Sequence, residues 1–357
     1  MGYVSPDFCN HSCRHFIEPL LAHHDKSVVE VFAYADVALE DQVSARMKSH
    51  VAHWVPTVGM DDAQMAERVR ADGIDILVDL AGHTRGNRLL VFARKPAPVS
   101  VSTLGFGYTT GLSAIDWFLT DPFALPEGFE HLFSERPWRL SQCLVYRPAE
   151  GMGEVSALPA LKNGHITFGT LTRAVRINHR SVRVWSEILR RVPGARLRID
   201  SGNFKDAALC RILAEKFAAH GIAKERLEMG FHSPPWDVLR EIDIGLDCFP
   251  HNSGTTLFES LYMGVPFITL AGRPSVGRLG SSILAHAGHP QWIAQSESEY
   301  IDTAVALAAD LPRLAAVRAR LRSQMQESAL MDEPGHVRNL EAAYREMWRQ
   351  WCGQRAP

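Results

Sequence analysis

The sequence predicts an α/β chain of two domains, each a doubly wound parallel sheet. Short apolar runs of strand length alternate with amphipathic segments of helix length, over residues 3–121 and again from residue 165 onward. That alternation is the pattern of βαβ units. Between the two series, Pro148, Gly151, Gly153, Pro159 and Gly164 crowd a stretch that reads as a linker. The 357 residues suffice for two cores. The expected domains are 1–150 and 151–357, the second carrying the terminal helices.

Tyr3-Val4-Ser5 reads as the tail of a buried strand entering the turn Pro6-Asp7-Phe8. Only Met1 and Gly2 precede it, fewer residues than a central strand usually needs, so a fragment or a clipped first strand is expected. Further strands are expected at 28–34, 74–80, 99–104 and 116–120, and a helix at 62–71. Ligands of such sheets bind beyond the carboxyl ends of the strands, which directs attention to the loops 6–11, 81–88 and 105–111. In the second series, strands are expected at 165–169, 196–200 and 227–231, and helices at 178–192 and 206–220. Helices near 281–287, 297–309, 311–328 and 337–351 complete the chain. In the last, Tyr344, Trp348 and Trp351 are spaced as a buried stripe.

Residues 243–270 form the most informative unit: strand, loop, helix, strand. Asp247 to Ser253 is rich in turn formers, Gly254-Thr255-Thr256 opens a helical pattern, and Gly264 and Pro266 close it. The first turn of such a helix presents free N–H groups and the positive end of the helix dipole, which suits a phosphate. Glu259, one turn deeper than Thr255, suits a ribose diol. Together these suggest a nucleoside diphosphate. A threonine-capped helix with a surface glutamate accounts for the same spacing.

Composition narrows the classes. Hydrophobic residues make up 46% and charged residues 22%, ordinary for a globular protein. A net charge of −2 speaks against a nucleic-acid binder driven by bulk charge. No run approaches the length of a membrane span, so no membrane partner is expected. Six irregularly spaced cysteines, without a signal peptide, point to reduced thiols and a cytoplasmic setting. A nicotinamide dehydrogenase is disfavoured because no G-x-G-x-x-G follows a strand.

Three polar constellations stand at strand ends. Thr170-Leu171-Thr172-Arg173-Ala174-Val175-Arg176 places two arginines between a strand and a helix, and guanidinium groups bind phosphate oxygens bidentately. A pair of solvated arginines reads equally well. Cys9-Asn10-His11-Ser12-Cys13-Arg14-His15 holds four metal-ligand types, but on a helix His11 and His15 share one face and Cys9 and Cys13 another. No metal site is therefore expected; a histidine facing ligand, or a structural one, is. Asn10 is a candidate helix cap, and Pro19 is expected to kink or restart that helix. Gly82-His83-Thr84-Arg85-Gly86-Asn87-Arg88 would offer basic groups to an acceptor or a phosphate, or be a plain helix-entry loop.

These residues carry a family resemblance over nearly the whole chain. Gly2-Tyr3-Val4-Ser5-Pro6-Asp7-Phe8 with His11, Asp75 to Thr84, Arg94 to Val99 with Gly105 and Thr109-Thr110-Gly111, Asp247 to Thr256 with Glu259 and Met263 to Pro266, and Arg338 to Tyr344 occur in order. The sequence resembles the catalytic region of the O-linked N-acetylglucosamine transferase family (GT41-like), in its bacterial branch. The resemblance implies a GT-B fold, two Rossmann-like domains facing a cleft. It implies a UDP-sugar co-substrate, no cofactor and no metal, and inverting transfer, with N-acetylglucosamine the expected sugar, to Ser or Thr of a polypeptide.

By the same resemblance, Gly254, Thr255 and Thr256 hold the pyrophosphate and Glu259 the ribose. His232 and Ser233 lie in the loop that holds the uracil, and His251 belongs to the nucleotide motif. His11 matches the cleft-facing histidine, a candidate base. His83, Arg85 and Gly105 match the acceptor side.

The sequence departs from the family in two places. Thr172, Arg173 and Arg176 stand where the family carries Asn or Gln and then Lys, with Arg176 at the Lys position. The family's tetratricopeptide repeats do not occur in this sequence, so the acceptor is expected to be delivered by a separate repeat domain or protein. Two readings of other classes stay open. One is a nucleotide-sugar-binding or partner-binding module with reduced catalysis, and the other a nucleotide-sugar epimerase.

Overall fold

A computed structural model describes residues 1–354. They form two compact units, one of residues 1–147 together with 329–354, the other Pro148–Ser328. In the first unit the strands β1 (Gly2–Ser5), β2 (Phe32–Ala35), β3 (His53–Pro56), β4 (Ile76–Asp79), β5 (Val99–Ser102), β6 (Trp117–Thr120) and β7 (Arg136–Arg139) make one parallel sheet. Their order is β3-β2-β1-β4-β5-β6-β7. In the second, β8 (Thr167–Thr170), β9 (Arg196–Asp200), β10 (Leu227–Gly230), β11 (Ile244–Leu246), β12 (Phe267–Leu270) and β13 (Ile293–Ala294) pair in parallel in the order β10-β9-β8-β11-β12-β13. Both are the doubly wound arrangement read from the sequence.

The central strands are covered on both faces. On β1 and β4, Tyr3, Ile76 and Val78 join one apolar cluster, while Val4 and Leu77 join another with Tyr34, Val69 and Phe92. A strand buried on both faces reads as an unbroken apolar run, which is why residues 74–80 were conspicuous. Helix starts follow local chemistry. Asp61 accepts the N–H groups of Ala63 and Gln64 while Gln64 reaches back, and the helix Asp62–Ala71 begins there. Asn178 caps the helix His179–Arg191 by accepting the N–H of Ser181.

Several expectations need correction. Residues 28–31 are not strand: the N–H groups of Val28 and Val29 turn back to the Asp25 carbonyl, and Val28 is 53% exposed. The edge strands β3 and β7 lacked an apolar signature because each carries exposed or half-buried polar residues. The helix Arg14–Ala22 runs through Pro19. Its N-cap is Cys13, without a side-chain cap bond, and Asn10 instead accepts from Arg14. The final helix, Glu333–Gly353, belongs to the first unit rather than the second. Its buried stripe of Val337, Leu340, Ala343, Tyr344 and Met347 joins the cluster of Tyr3, Ile17 and Val78. His24 helps anchor it, bonded to Tyr3 Oη at 2.8 Å and to Glu341 Oε1 at 2.8 Å. Among the described residues, no helix is long and apolar enough to cross a membrane.

Candidate functional site

In the second unit the chain leaves β11 at Asp247 and returns as the helix Thr255–Tyr262. Gly254 is the N-cap, and no side chain caps the helix. The threonine-capped alternative therefore fails: among the described residues no side chain takes up the first-turn N–H groups, an arrangement that suits an anion. Thr255 and Thr256 are half-buried, and Glu259 lies one turn further in at 5% exposure. Arg176 donates from Nη1 to the Asn252 carbonyl at 2.9 Å, which fastens the arginine loop to the anion loop. Asn178 Nδ2 donates to the Phe249 carbonyl at 2.6 Å. Thr172 is turned inward, its hydroxyl 3.3 Å from Cys248 Sγ. Arg173 is exposed. Of the two arginines, only Arg176 is thus tied to the anion loop.

A buried carboxyl shapes this loop. Asp247, 1% exposed, accepts the Ser253 N–H at 2.8 Å and the Thr269 hydroxyl at 2.8 Å. Tyr300 Oη donates to its carbonyl at 2.9 Å. The next helix approaches so closely that a Cβ on Gly280 would lie 2.4 Å from Thr269 Oγ1. Burial raises the Asp247 pKa to about 7, with the Ser253 and Thr269 hydrogen bonds and Arg176 opposing. Burial, with Arg176 adding, lowers His251 to about 4, so its imidazole is neutral near pH 7.

His232 sits after β10 with its backbone N–H 3.0 Å and its Nδ1 2.6 Å from the two Asp200 oxygens. Against a carboxylate Nδ1 must donate, so in the neutral ring Nε2 is an acceptor. Ser233 beside it is exposed.

The first unit repeats the buried-carboxyl device. Asp79, at the end of β4 and fully buried, accepts the N–H groups of Ala81 and Gly82 and the Ser102 hydroxyl from β5. β4 and β11 occupy equivalent places in the two strand orders, as do β5 and β12. Asp79 with Ser102 thus corresponds to Asp247 with Thr269. In each case a buried carboxyl ties a strand end to the hydroxyl of its neighbour and shapes the following loop. Here that loop presents His83 and Arg85, both exposed, with the His83 ring edge-on to Phe106. Gly105 passes against it with φ +54, where a Cβ would meet the Ala81 carbonyl oxygen at 2.2 Å. Arg88 is not open to a ligand: it grips both oxygens of Asp36 at 3.0 Å and reaches Asp62.

His11 does not lie on a helix, which starts only at Arg14. Its side chain is 43% exposed, and its Nδ1 lies 3.4 Å from Asp7 Oδ1 and 3.3 Å from the Cys13 N–H. The face argument applied to residues 9–15 therefore does not hold, and Asp7, His11 and Cys13 bring ligand atoms within 4.8 Å of one another. His15 is structural: it is buried and bonded to the Arg147 carbonyl at 2.7 Å. Asp7, Asp79, Asp200 and Asp247 carried no site assignment in the sequence reading. Only Asp7, four residues before His11, had a local signal.

Two Rossmann-like units of this kind are the GT-B fold of glycosyltransferases. Anabaena HepE in complex with UDP superposes with a TM-score of 0.62 at 9% identity, over 96% of this chain and 99% of that one, a likeness of fold alone. The family model of glycosyl transferase family 41 matches residues 1–145 and 156–340, and the chain belongs to that family. An O-GlcNAc transferase mutant of Thermobaculum terrenum is 36% identical with a TM-score of 0.94, covering 99% of this chain and 68% of that one. The probable UDP-N-acetylglucosamine–peptide N-acetylglucosaminyltransferases SPINDLY of Oryza sativa and Arabidopsis thaliana are 38% and 36% identical over the full chain. The chain spans 40% of the length of these two relatives.

Proposed function

We propose that this chain is the catalytic region of a UDP-sugar-dependent transferase that glycosylates Ser or Thr of a polypeptide, with inversion and without a metal, N-acetylglucosamine being the expected sugar. The observation that carries the reading is the uncapped start of the helix Thr255–Tyr262, with Arg176 fastened to its loop at 2.9 Å. Free N–H groups and a permanent cation meet where a leaving diphosphate gains charge, and such groups help catalysis when they bind the transition state more tightly than the ground state. The names of the SPINDLY relatives support the donor and the peptide acceptor.

The residues divide the work. In the second unit, Gly254, Thr255 and Thr256 receive the diphosphate, Glu259 the ribose, and the Asp200-oriented His232 with Ser233 the base. Arg176 acts as an electrostatic clamp, since guanidinium keeps its proton. In the first unit, His83, Arg85 and Gly105 form the acceptor side. His11 serves as base in the tautomer with Nδ1–H toward Asp7 and a free Nε2 lone pair, which gives up the contact in which Nδ1 accepts the Cys13 N–H. A repeat domain or separate repeat protein delivers the acceptor.

Folded protein is incubated with UDP-N-acetylglucosamine and a Ser/Thr-rich peptide, and UDP release and peptide mass are followed. Sugar on the peptide with stoichiometric UDP is expected. UDP binding by calorimetry without turnover would leave a binding module, and no UDP binding would defeat the reading.

A further inference from the structure

The loop after β1 brings three different ligand types together. Ser5 Oγ takes the Asp7 N–H at 2.9 Å as the strand ends. The chain then doubles back, with His11 N–H on the Cys9 carbonyl at 2.7 Å and Arg14 N–H on the His11 carbonyl at 3.0 Å. One carboxylate oxygen, one imidazole nitrogen and one thiol sulfur end within 4.8 Å of one another on Asp7, His11 and Cys13.

We propose that Asp7, His11 and Cys13 form a three-donor site for a zinc-class divalent ion, and that an ion bound there inhibits transfer. The inhibition rests on the function proposed above; the binding does not.

The geometry suits such an ion. Tetrahedral zinc, with bonds of about 2.0–2.3 Å, holds its ligand atoms about 3.3–3.8 Å apart. Asp7 Oδ1 and His11 Nδ1 are already 3.4 Å apart. Closing the remaining gap needs the ligand atoms to approach by about 1.5 Å at most. His11 is 43% exposed, and a water would complete the tetrahedron.

The chemistry selects the metal. A thiolate and an imidazole favour zinc or cobalt over magnesium or calcium, which prefer all-oxygen shells. On binding, the Cys13 S–H bond gives its proton to the buffer as the metal–sulfur bond forms. One thiolate and one carboxylate then balance the two charges of the ion.

Inhibition follows from the Nδ1 lone pair. In the structure it accepts the Cys13 N–H at 3.3 Å, and His11 can take a proton at Nε2 only after the ring proton has moved to Nδ1 and given up that contact. A metal on Nδ1 occupies the same lone pair, keeps the ring proton on Nε2 and so denies the base. Cys13 is thereby a residue through which the cation level can silence the site, reversibly on chelation.

The experiment uses the whole reduced chain, freed of metal by a chelator and titrated with zinc and, separately, cobalt. One equivalent should bind, and cobalt should give tetrahedral visible bands with a thiolate charge-transfer band. Cys13→Ser should abolish the charge-transfer band and weaken zinc binding at least about tenfold, whereas Cys9→Ser should change neither. Turnover of the parent should fall on adding one equivalent of zinc and return with chelator, while turnover of Cys13→Ser should be far less sensitive to zinc. A charge-transfer band that survives Cys13→Ser, or vanishes in Cys9→Ser, overturns the site. Stoichiometric binding without loss of turnover overturns the inhibition. If the parent shows no turnover at all, the proposed function has failed, and the cobalt spectra still decide the site.

Discussion

Asp247→Asn tests whether one buried carboxyl holds the anion loop. Asp247 is 1% exposed and accepts hydrogen bonds from the Ser253 N–H and the Thr269 hydroxyl, each 2.8 Å long. Its pKa is raised from 3.8 to about 7, chiefly by burial. Between those values the folded chain keeps a proton that the unfolded chain has released. Its contribution to stability is therefore full below pH 3.8 and is lost as the pH rises through about 7. At about 1.4 kcal/mol per pH unit, that gap is worth roughly 4 kcal/mol. Asn keeps the shape and an accepting oxygen for Ser253 but has no proton to lose. The stability of the variant relative to the parent should thus move in the variant's favour by up to roughly 4 kcal/mol across this range. Hydrogen exchange of the β11 and β12 amides, corrected for intrinsic rates and compared at several pH values, reads it. A difference that does not change with pH would refute the reasoning. A bound diphosphate adds negative charge to the same loop, so UDP affinity of the parent should also fall as the pH rises through about 7, and that of the variant should not.

Three other outcomes are expected. Arg176→Lys, which keeps the charge, should retain or raise turnover, whereas Arg176→Ala should lose roughly 2–4 kcal/mol of transition-state stabilisation with a smaller change in UDP affinity; steady-state kinetics and calorimetry separate the two, and unchanged turnover in Arg176→Ala removes Arg176 from the site. Gly105→Ala forces a Cβ to 2.2 Å from the Ala81 oxygen at φ +54, so thermal unfolding should show a loss of at least about 1–2 kcal/mol, and an unchanged Tm would mean that the loop has another conformation. His336 is 7% exposed, its Nδ1 lacks a hydrogen-bond partner among the described residues, and burial lowers its pKa to about 4; its stability contribution is present above about pH 6.5 and lost as the pH falls through about 4, so His336→Leu should flatten the acid side of the urea midpoint against pH, and parallel curves would disprove it.

The two doubly wound sheets, the helix Asp62–Ala71 and the start of the helix Thr255–Tyr262 were legible in the chain alone. Each of these is set by neighbours within a few residues: an apolar run, a capping side chain, a glycine before two threonines. The edge strands β3 and β7 escaped because a strand with only one partner and a partly exposed surface need not be apolar. Tertiary structure alone decided which unit receives the helix Glu333–Gly353, because an amphipathic stripe declares that a face is buried and not against what. It also decided the supporting carboxyls. Asp247 meets a hydroxyl 22 residues away, Asp79 one 23 residues away, and Asp200 an imidazole 32 residues away. No periodicity links positions so far apart; they meet because parallel strands bring their carboxyl ends together, and a buried carboxyl there must find donors to offset its lost hydration.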